Sequence, residues 1–572
     1  MMAESLIIKN GIVYDPINGV KGEKMDIMIK NGVVVSEAPS GAKEVDAAGK
    51  LVAPGGVEMH SHIAGPKLNA GRAILPNDFR DNYIVKTNAV RALAGHAVPT
   101  NYTNGVKYTE LGFTTVFEPA MAPLDARHTF EELEDTPNVD KASFPVFGNN
   151  WFVFHCVQNN DIEMLKAFVM WMMTETKGYA VKIVNPCGVY MWAHHHSNVT
   201  GVDDIISEYE ISPRQVLRAL CQANEELGLP HTIHVHANML GRVGNVSVTL
   251  DTLKCVADMK PHPSREQVMH LTHLQFNCFG EDENHRICSG GKQLADYVND
   301  HPEISVDLGQ VILDVPTCTM TGDGPAEFFI HKALGPKAKW VNSDVELECG
   351  AGIVPITYKS NNPFNSIQWA IGLEAALSIN DPWRVIISTD HPNGGPAWYY
   401  PRVFAWLMSK KAREQTLNSI HSMAADKSDL AGIDREYTWE EIMINTRAAP
   451  AKLLGLKEKG HLGVGAHGDV AIYPLRPEEI DPTTQPREIE KNFWAETVIK
   501  DGRFLVKNGT IIDTERGRTF LIKQYHKESE HERMLKDLKE YFEKWYTVTF
   551  NNYRVQDVFA PRPQVVPTNP VS

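Results

Sequence analysis

The chain has 572 residues, 43% apolar and 22% charged, the mixture of a folded globular protein rather than a disordered or low-complexity one. Its length exceeds what one hydrophobic core ordinarily supports, so it holds either several domains or one large barrel with insertions. With 56 Lys and Arg against 71 Asp and Glu, the net charge of −15 repels phosphate backbones and anionic lipid and argues against nucleic-acid and membrane-surface roles.

The longest apolar run, Ala167–Met173, has 7 residues, far short of the roughly 20 that span a bilayer. The start, MMAESLIIKNG, lacks the basic-then-apolar order of a secretory signal. The eight cysteines (156, 187, 221, 255, 278, 288, 318 and 349) are scattered, with no C-x-x-C pair. Clustered thiolate sites for iron–sulfur or structural zinc are therefore not expected, and a reducing, cytoplasmic setting is. Histidine is the abundant chemical residue, 23 in all and partly bunched.

In chain order, residues 1–54 read as short strands, SLIIKNGIVYD and KMDIMIKNGVVVSEA, with two Asn-Gly dipeptides predicting tight hairpins. The same texture returns at 468–477 and 494–512, which predicts a β-sandwich assembled from both chain ends, 1–54 and 456–522. Between them, over 55–455, apolar runs alternate with helix-like stretches, the βα pattern of a parallel sheet in an α/β fold. Eight strands are expected: Val57–His62, Phe113–Glu118, Phe144–Asn150, Tyr179–Asn185, Thr232–Ala237, Met269–Phe276, Ile304–Gly309 and Arg384–Asp390. Eight is the number a (β/α)8 TIM-type barrel needs, and such barrels place their sites at the C-terminal strand ends. Residues 523–572 form a tail. Leu535, Leu538, Tyr541, Phe542 and Trp545 predict an amphipathic helix within Lys523–Trp545, to cap its own chain or dock on another subunit, followed by the Pro-rich FAPRPQVVPTNP. No glycine-rich nucleotide loop stands between a strand and a helix.

The first barrel strand ends in Met59-His60-Ser61-His62. Residues i and i+2 on a strand share a face, so His60 and His62 form a natural clamp for a divalent metal. Lys182, in YAVKIVNP, would repel a dication as an ammonium. It either snorkels to the surface or, carboxylated by CO2, becomes an anionic ligand able to bridge two metals. His234 and His236 share a face of the fifth strand; His236 is the better ligand, His234 a supporting or core residue. His273 sits at the mouth of the sixth strand, with His270 on the opposite face as a structural residue. Asp390 ends the eighth strand in RVIISTDHPNGG, where a carboxylate can hold a metal and move protons, while alternation turns His391 away. The expected set is His60, His62, Lys182, His236, His273 and Asp390. Two Zn2+ with a carbamate, Asp390 and a bridging hydroxide leave about +1, which attracts an anionic substrate. Imidazole without thiolate favours zinc over iron or manganese.

This ordered pattern resembles the amidohydrolase superfamily, whose flanking β-sandwich is matched as well by GHLGVGAHGDVAIY (460–473). Within it the chain is similar to the catalytic A subunits of formylmethanofuran dehydrogenases, through PGGVEMHSHIAGPK, FGNNWFV, GYAVKIVNP, LPHTIHVHAN, VELECGAGIVP, QWAIGLE and YPRVFAWLMS, over roughly residues 5–520. The residue after the strand-eight Asp departs from the small one of relatives, being His391. The resemblance implies a cytoplasmic complex of methanogenesis in which a tungsten or molybdenum pterin subunit, served by iron–sulfur subunits, reduces CO2 to formate. Formate then reaches the dinuclear site of the A subunit, whose lysine is N6-carboxylated, and condenses with the amine of methanofuran to N-formylmethanofuran. In the hydrolytic direction a hydroxide generated at the metals attacks the formyl carbon, and Asp390 takes its proton and delivers it to the departing amine. Lys67 is positioned to meet formate, and Asn185 and Asn238 to orient the amide. A free-standing cyclic-amide or N-acyl hydrolase of dihydropyrimidinase or D-aminoacylase type, and a formylmethanofuran-hydrolysing subunit of a methylotroph complex, share this chemistry. A non-catalytic scaffold that kept the barrel would not need six converging groups.

Overall fold

The computed structural model describes residues 5–342, 348, 352–525 and 527–571; Cys349 lies outside them. The N-terminal strands are β1 (Leu6–Asp15), β2 (Val20–Lys30), β3 (Val33–Val35), β4 (Lys43–Asp46) and β5 (Leu51–Pro54). Eight strands follow: β6 (Gly56–Glu58), β7 (Phe113–Met121), β8 (Asp140–Pro145), β9 (Lys182–Val184), β10 (Ile233–His236), β11 (Met269–Leu271), β12 (Ile304–Asp307) and β13 (Val385–Ile386). The chain returns through β14 (Val470–Tyr473), β15 (Thr497–Lys500), β16 (Arg503–Lys507) and β17 (Thr510–Ile511), then β18 (Thr519–Ile522) and β19 (Pro563–Val566).

The two chain ends meet as expected, in one nine-stranded mixed sheet of order β17-β16-β15-β14-β5-β1-β2-β3, with β4 also on β1. Alternation buries both faces of this sheet: Val52 joins a small core with Ile8, Ile29 and Val470, whereas Leu51 and Ala53 join the main core. Of the two Asn-Gly pairs, Asn31-Gly32 turns between β2 and β3 with both φ positive, at 54° and 80°. Asn10-Gly11 does not make a hairpin. It lies inside β1 at a register shift against β2, because a Cβ on Gly11 would stand 2.4 Å from Val52 Cγ2 and the bulge lets β1 approach β5 that closely.

Each of the eight expected α/β strand segments contains a strand, shorter than its apolar run. They pair in parallel in two sheets, β8-β7-β6 (with β18 and β19 beyond β8) and β9-β10-β11-β12-β13. Isolated parallel bridges Ser61–His391 and Val146–Lys182 join the two sheets at both seams. There His62 N–H donates to His391 O at 2.7 Å and Phe147 N–H to Lys182 O at 2.8 Å. The strands end early where the site begins: Asn185, His273 and Asp390 have φ of 40°, 36° and 49°. These left-handed turns swing side chains off the pleat and into the interior.

Helices α1 (Ile162–Glu175) and α2 (Pro213–Leu227) feed this framework; α2 starts in a Ser212/Gln215 capping box and stops at Gly228, φ 58°, which hands the chain to β10. The tail caps its own chain. Helix α3 (Glu528–Trp545) buries Met534, Leu538 and Phe542 against α1, and Arg533 pairs with Asp161 at 2.7 Å. Trp545 stays 53% exposed, and β19 extends the sheet beside β18. No helix among the described residues is long and apolar enough to cross a membrane.

Candidate metal centre

The six expected residues are buried at the C-terminal ends of the parallel strands. His60 Nε2 and His62 Nε2 lie 3.0 and 3.2 Å from the same oxygen, Asp390 Oδ1. Asp390 Oδ2 accepts from Asn393 Nδ2 at 2.8 Å. One donor atom each from His60, His273 and Asp390 fall within 4.8 Å of one another, a spacing able to hold a metal ion. His236 packs on His273 with ring centroids 4.7 Å apart. Asp323 Oδ2 sits 2.9 Å from His236 Nε2, leaving Nδ1 as that ring's second nitrogen.

Lys182 is the odd member. The parallel ladder pairs it with His234, and its Nζ is buried without a hydrogen-bond partner. Burial pushes its amine down to about 7, against the upward pull of Asp307 and Asp390. Near neutral pH a large share of this amine is therefore uncharged and nucleophilic. Burial alone would raise Asp390, but His60 and His273 hold its carboxyl well below the usual range. Burial lowers His236, and His273 well below its ordinary value, so both are neutral with lone pairs to offer. Four imidazoles, a carboxylate and an orphaned amine are a donor set that fits divalent transition metals.

Behind the cluster stand carboxylates that the sequence reading missed. Asp307 Oδ2 lies 3.1 Å from both His60 Nδ1 and His270 Nε2, and its Oδ1 accepts from His273 N–H at 2.9 Å. Glu118 Oε1 lies 2.9 Å from His62 Nδ1. Both histidines of the first strand thus turn Nδ1 to an acceptor and Nε2 toward Asp390. Burial opposes the Glu118 charge, but Lys67 and His62 prevail and hold its carboxyl at about 2. The one available signal was position: Glu118 and Asp307 are charged residues in otherwise apolar strand runs, FTTVFEPAM and ISVD.

His270 differs from its expected place. It faces this interior cluster, because His273 has left the strand and alternation cannot be counted back from it. His234 is buried as a supporting residue, stacked on His270 at 4.7 Å. His391 bonds Asn104 at 3.0 Å, away from the cluster. Lys67 donates to Ala120 O at 2.5 Å and pairs with Glu118 at 3.3 Å, beside a cavity of about 100 Å³ lined by Gly65, Ala122, Val146 and Thr321. Asn185 donates to Asp323 at 3.0 Å and accepts from Asn238 at 2.7 Å, while Asn238 Oδ1 is buried without a partner.

The amidohydrolase family pattern matches residues 43–506, and the chain belongs to that family. It is 46% identical to protein FwdA of Methanocaldococcus jannaschii over 97% of both chains. It is 34% identical to the A subunit of the formyltransferase/hydrolase complex Fhc of Methylorubrum extorquens over 90% of both. The crystal structure of that FhcABCD complex with methylofuran contains a chain that superposes with a TM-score of 0.88 at 31% identity, covering 99% of this chain and 100% of that one. Within the amidohydrolases the chain is thus a formylmethanofuran dehydrogenase A subunit, of the FwdA type.

Proposed function

We propose that this subunit condenses formate with the primary amine of methanofuran to give N-formylmethanofuran, reversibly, inside a cytoplasmic complex with iron–sulfur subunits and a tungsten or molybdenum pterin subunit. The near full-length likeness to FwdA and to a subunit crystallised with methylofuran supports the substrate. The chemistry is carried by one observation: the buried, unpartnered Lys182 amine beside the histidine–aspartate cluster. In its neutral form it adds to CO2, forming an N–C bond and releasing a proton, and the resulting carbamate is an anionic ligand in place of an ammonium.

His60, His62, carboxylated Lys182, His236, His273 and Asp390 would hold two divalent ions, with zinc best suited to imidazole. Bound there, such ions supply Lewis acidity and lower the pKa of water. Asp390, positioned by Asn393, carries the proton between water and the amine nitrogen. Lys67 meets formate from the small cavity at its side, which suits a one-carbon acid and excludes a large cofactor. Asn238 Oδ1, unpartnered, accepts the amine or amide N–H, and Asn185 holds Asn238 in place.

The architecture fits a (β/α)8 barrel over 55–455, its ring completed by the two bridges. The parts 1–54 and 456–522 pack on it as a terminal β-sandwich domain, and 523–572 is the capping tail. Strand β18 is the portion of 456–522 bonded to the barrel side.

The test is metal content and turnover of the assembled complex. The wild type is expected to carry about two divalent equivalents in this subunit. Lys182→Ala and Asp390→Ala should each abolish both formation and hydrolysis of formylmethanofuran. Full activity in either variant, or a metal-free active wild type, refutes the assignment.

A further inference from the structure

Beneath His60 a line of histidines runs from the cluster into the core. His231 Nδ1 lies 2.7 Å from the Leu453 carbonyl oxygen, His231 Nε2 lies 3.0 Å from His234 Nδ1, and His234 Nε2 lies 3.0 Å from His60 Nδ1. All three rings are fully or almost fully buried. Phe144 packs on His231 and His234 at 5.8 and 5.2 Å, and His270 stacks on His234, so the rings cannot turn over freely.

A carbonyl oxygen only accepts, so His231 donates from Nδ1 and, as a neutral imidazole, accepts at Nε2. His234 must then donate from Nδ1 and accept at Nε2. Two acceptors, His234 Nε2 and Asp307 Oδ2, consequently converge on His60 Nδ1, at 3.0 and 3.1 Å. That nitrogen carries a proton. The direction set by one carbonyl passes through three rings in series.

Asp307 by itself does not secure this outcome, because it is shared. Its Oδ2 also receives His270 Nε2, and its Oδ1 receives His273 N–H and the Ser388 hydroxyl at 2.9 and 2.6 Å. The histidine relay supplies an acceptor for His60 that no other group competes for.

We propose that His231 and His234 are positioning residues: they keep the proton on His60 Nδ1, so that Nε2 is the nitrogen offered to a metal. The proposal rests on the metal-centre reading above. His60 Nδ1, His234 Nε2 and Asp307 Oδ2 also lie close enough to be considered as ligands of an ion of their own. Their separations of 3.0 and 3.1 Å are those of hydrogen bonds, and the relay accounts for them without an ion.

Neutron diffraction from deuterium-exchanged, metal-free crystals of the full chain tests the relay directly. Deuterium is expected on Nδ1 of His231, His234 and His60, and absent from Nε2 of His231 and His234. Deuterium on His234 Nε2, none on His60 Nδ1, or an ion between His60, His234 and Asp307 overturns it. In solution, His231→Phe removes the acceptor of His234 Nδ1. It should weaken zinc binding about tenfold, the scale of outer residues that orient metal-bound histidines, read by competition with a chromogenic chelator at unchanged circular dichroism. Wild-type affinity in that folded variant also overturns the relay. A wild-type chain that binds no zinc yet shows the deuterium pattern overturns the metal-centre reading and leaves the relay standing.

Discussion

Replacing Glu118 by Gln keeps the shape of a fully buried side chain and removes its charge. The carboxylate receives His62 Nδ1 at 2.9 Å, Ile63 N–H at 2.8 Å and Ala64 N–H at 3.2 Å, with the Lys67 ammonium at 3.3 Å. Those partners hold it at about 2 against an ordinary 4.5. At about 1.4 kcal/mol per pH unit, the ionised group gains about 3 kcal/mol from folding. Unfolding entropy near 2.1 cal/mol/K per residue is about 1.2 kcal/mol/K for this chain, so Glu118→Gln should lower Tm by about 2–3 °C at pH 7. The folded carboxyl titrates below the unfolded one. Its stabilisation is therefore complete above about 4.5 and fades as pH falls toward 2. Thermal melts of wild type and variant should converge accordingly, with more than half the gap gone by about pH 3. Equal Tm values at pH 7, or a gap undiminished at pH 3, refute the reasoning.

The ion cluster linking the terminal sheet to the parallel strands offers a second test. Asp140 faces Lys459 at 2.5 Å, Lys500 at 2.7 Å and Arg518 at 3.4 Å, all but the arginine fully buried. Asp140→Asn leaves two buried ammonium groups short of a partner and should cost about 3–5 kcal/mol, seen as a fall in Tm; an unchanged melt contradicts the pairing. Gly11→Ala drives a methyl to 2.4 Å from Val52 Cγ2. It should destabilise by about 1–3 kcal/mol, and adding Val52→Ala should recover part of the loss; no recovery means that the strain lies elsewhere.

Much of the framework was legible because it is periodic. Apolar runs separated by turn residues marked all eight parallel strands and the strands of both chain ends, since hydrogen-bonding geometry imposes alternation locally. The ligand types were legible for a similar reason: His60 and His62 share a strand face whatever the rest of the chain does. Asn10-Gly11 was misread because the dipeptide specifies only positive φ. Whether that makes a hairpin or a bulge depends on Val52, which comes forty residues later. Glu118, Asp307 and Asp323 were passed over for a related reason. One carboxylate at a strand end looks like any other until its histidine partner arrives from a different strand.

The sequence by itself determined the strand order, the meeting of the two ends and the chemical kinds of donor at the centre, because these follow from local periodicity and residue type. The tertiary structure alone decided what each donor is made to do. A lysine becomes a reactive neutral amine only when the surrounding fold strips away its water and leaves it no partner. An imidazole presents one nitrogen rather than the other only when something distant claims the first. For His60 that claim begins at the carbonyl of Leu453, 222 residues beyond the His231 it orients.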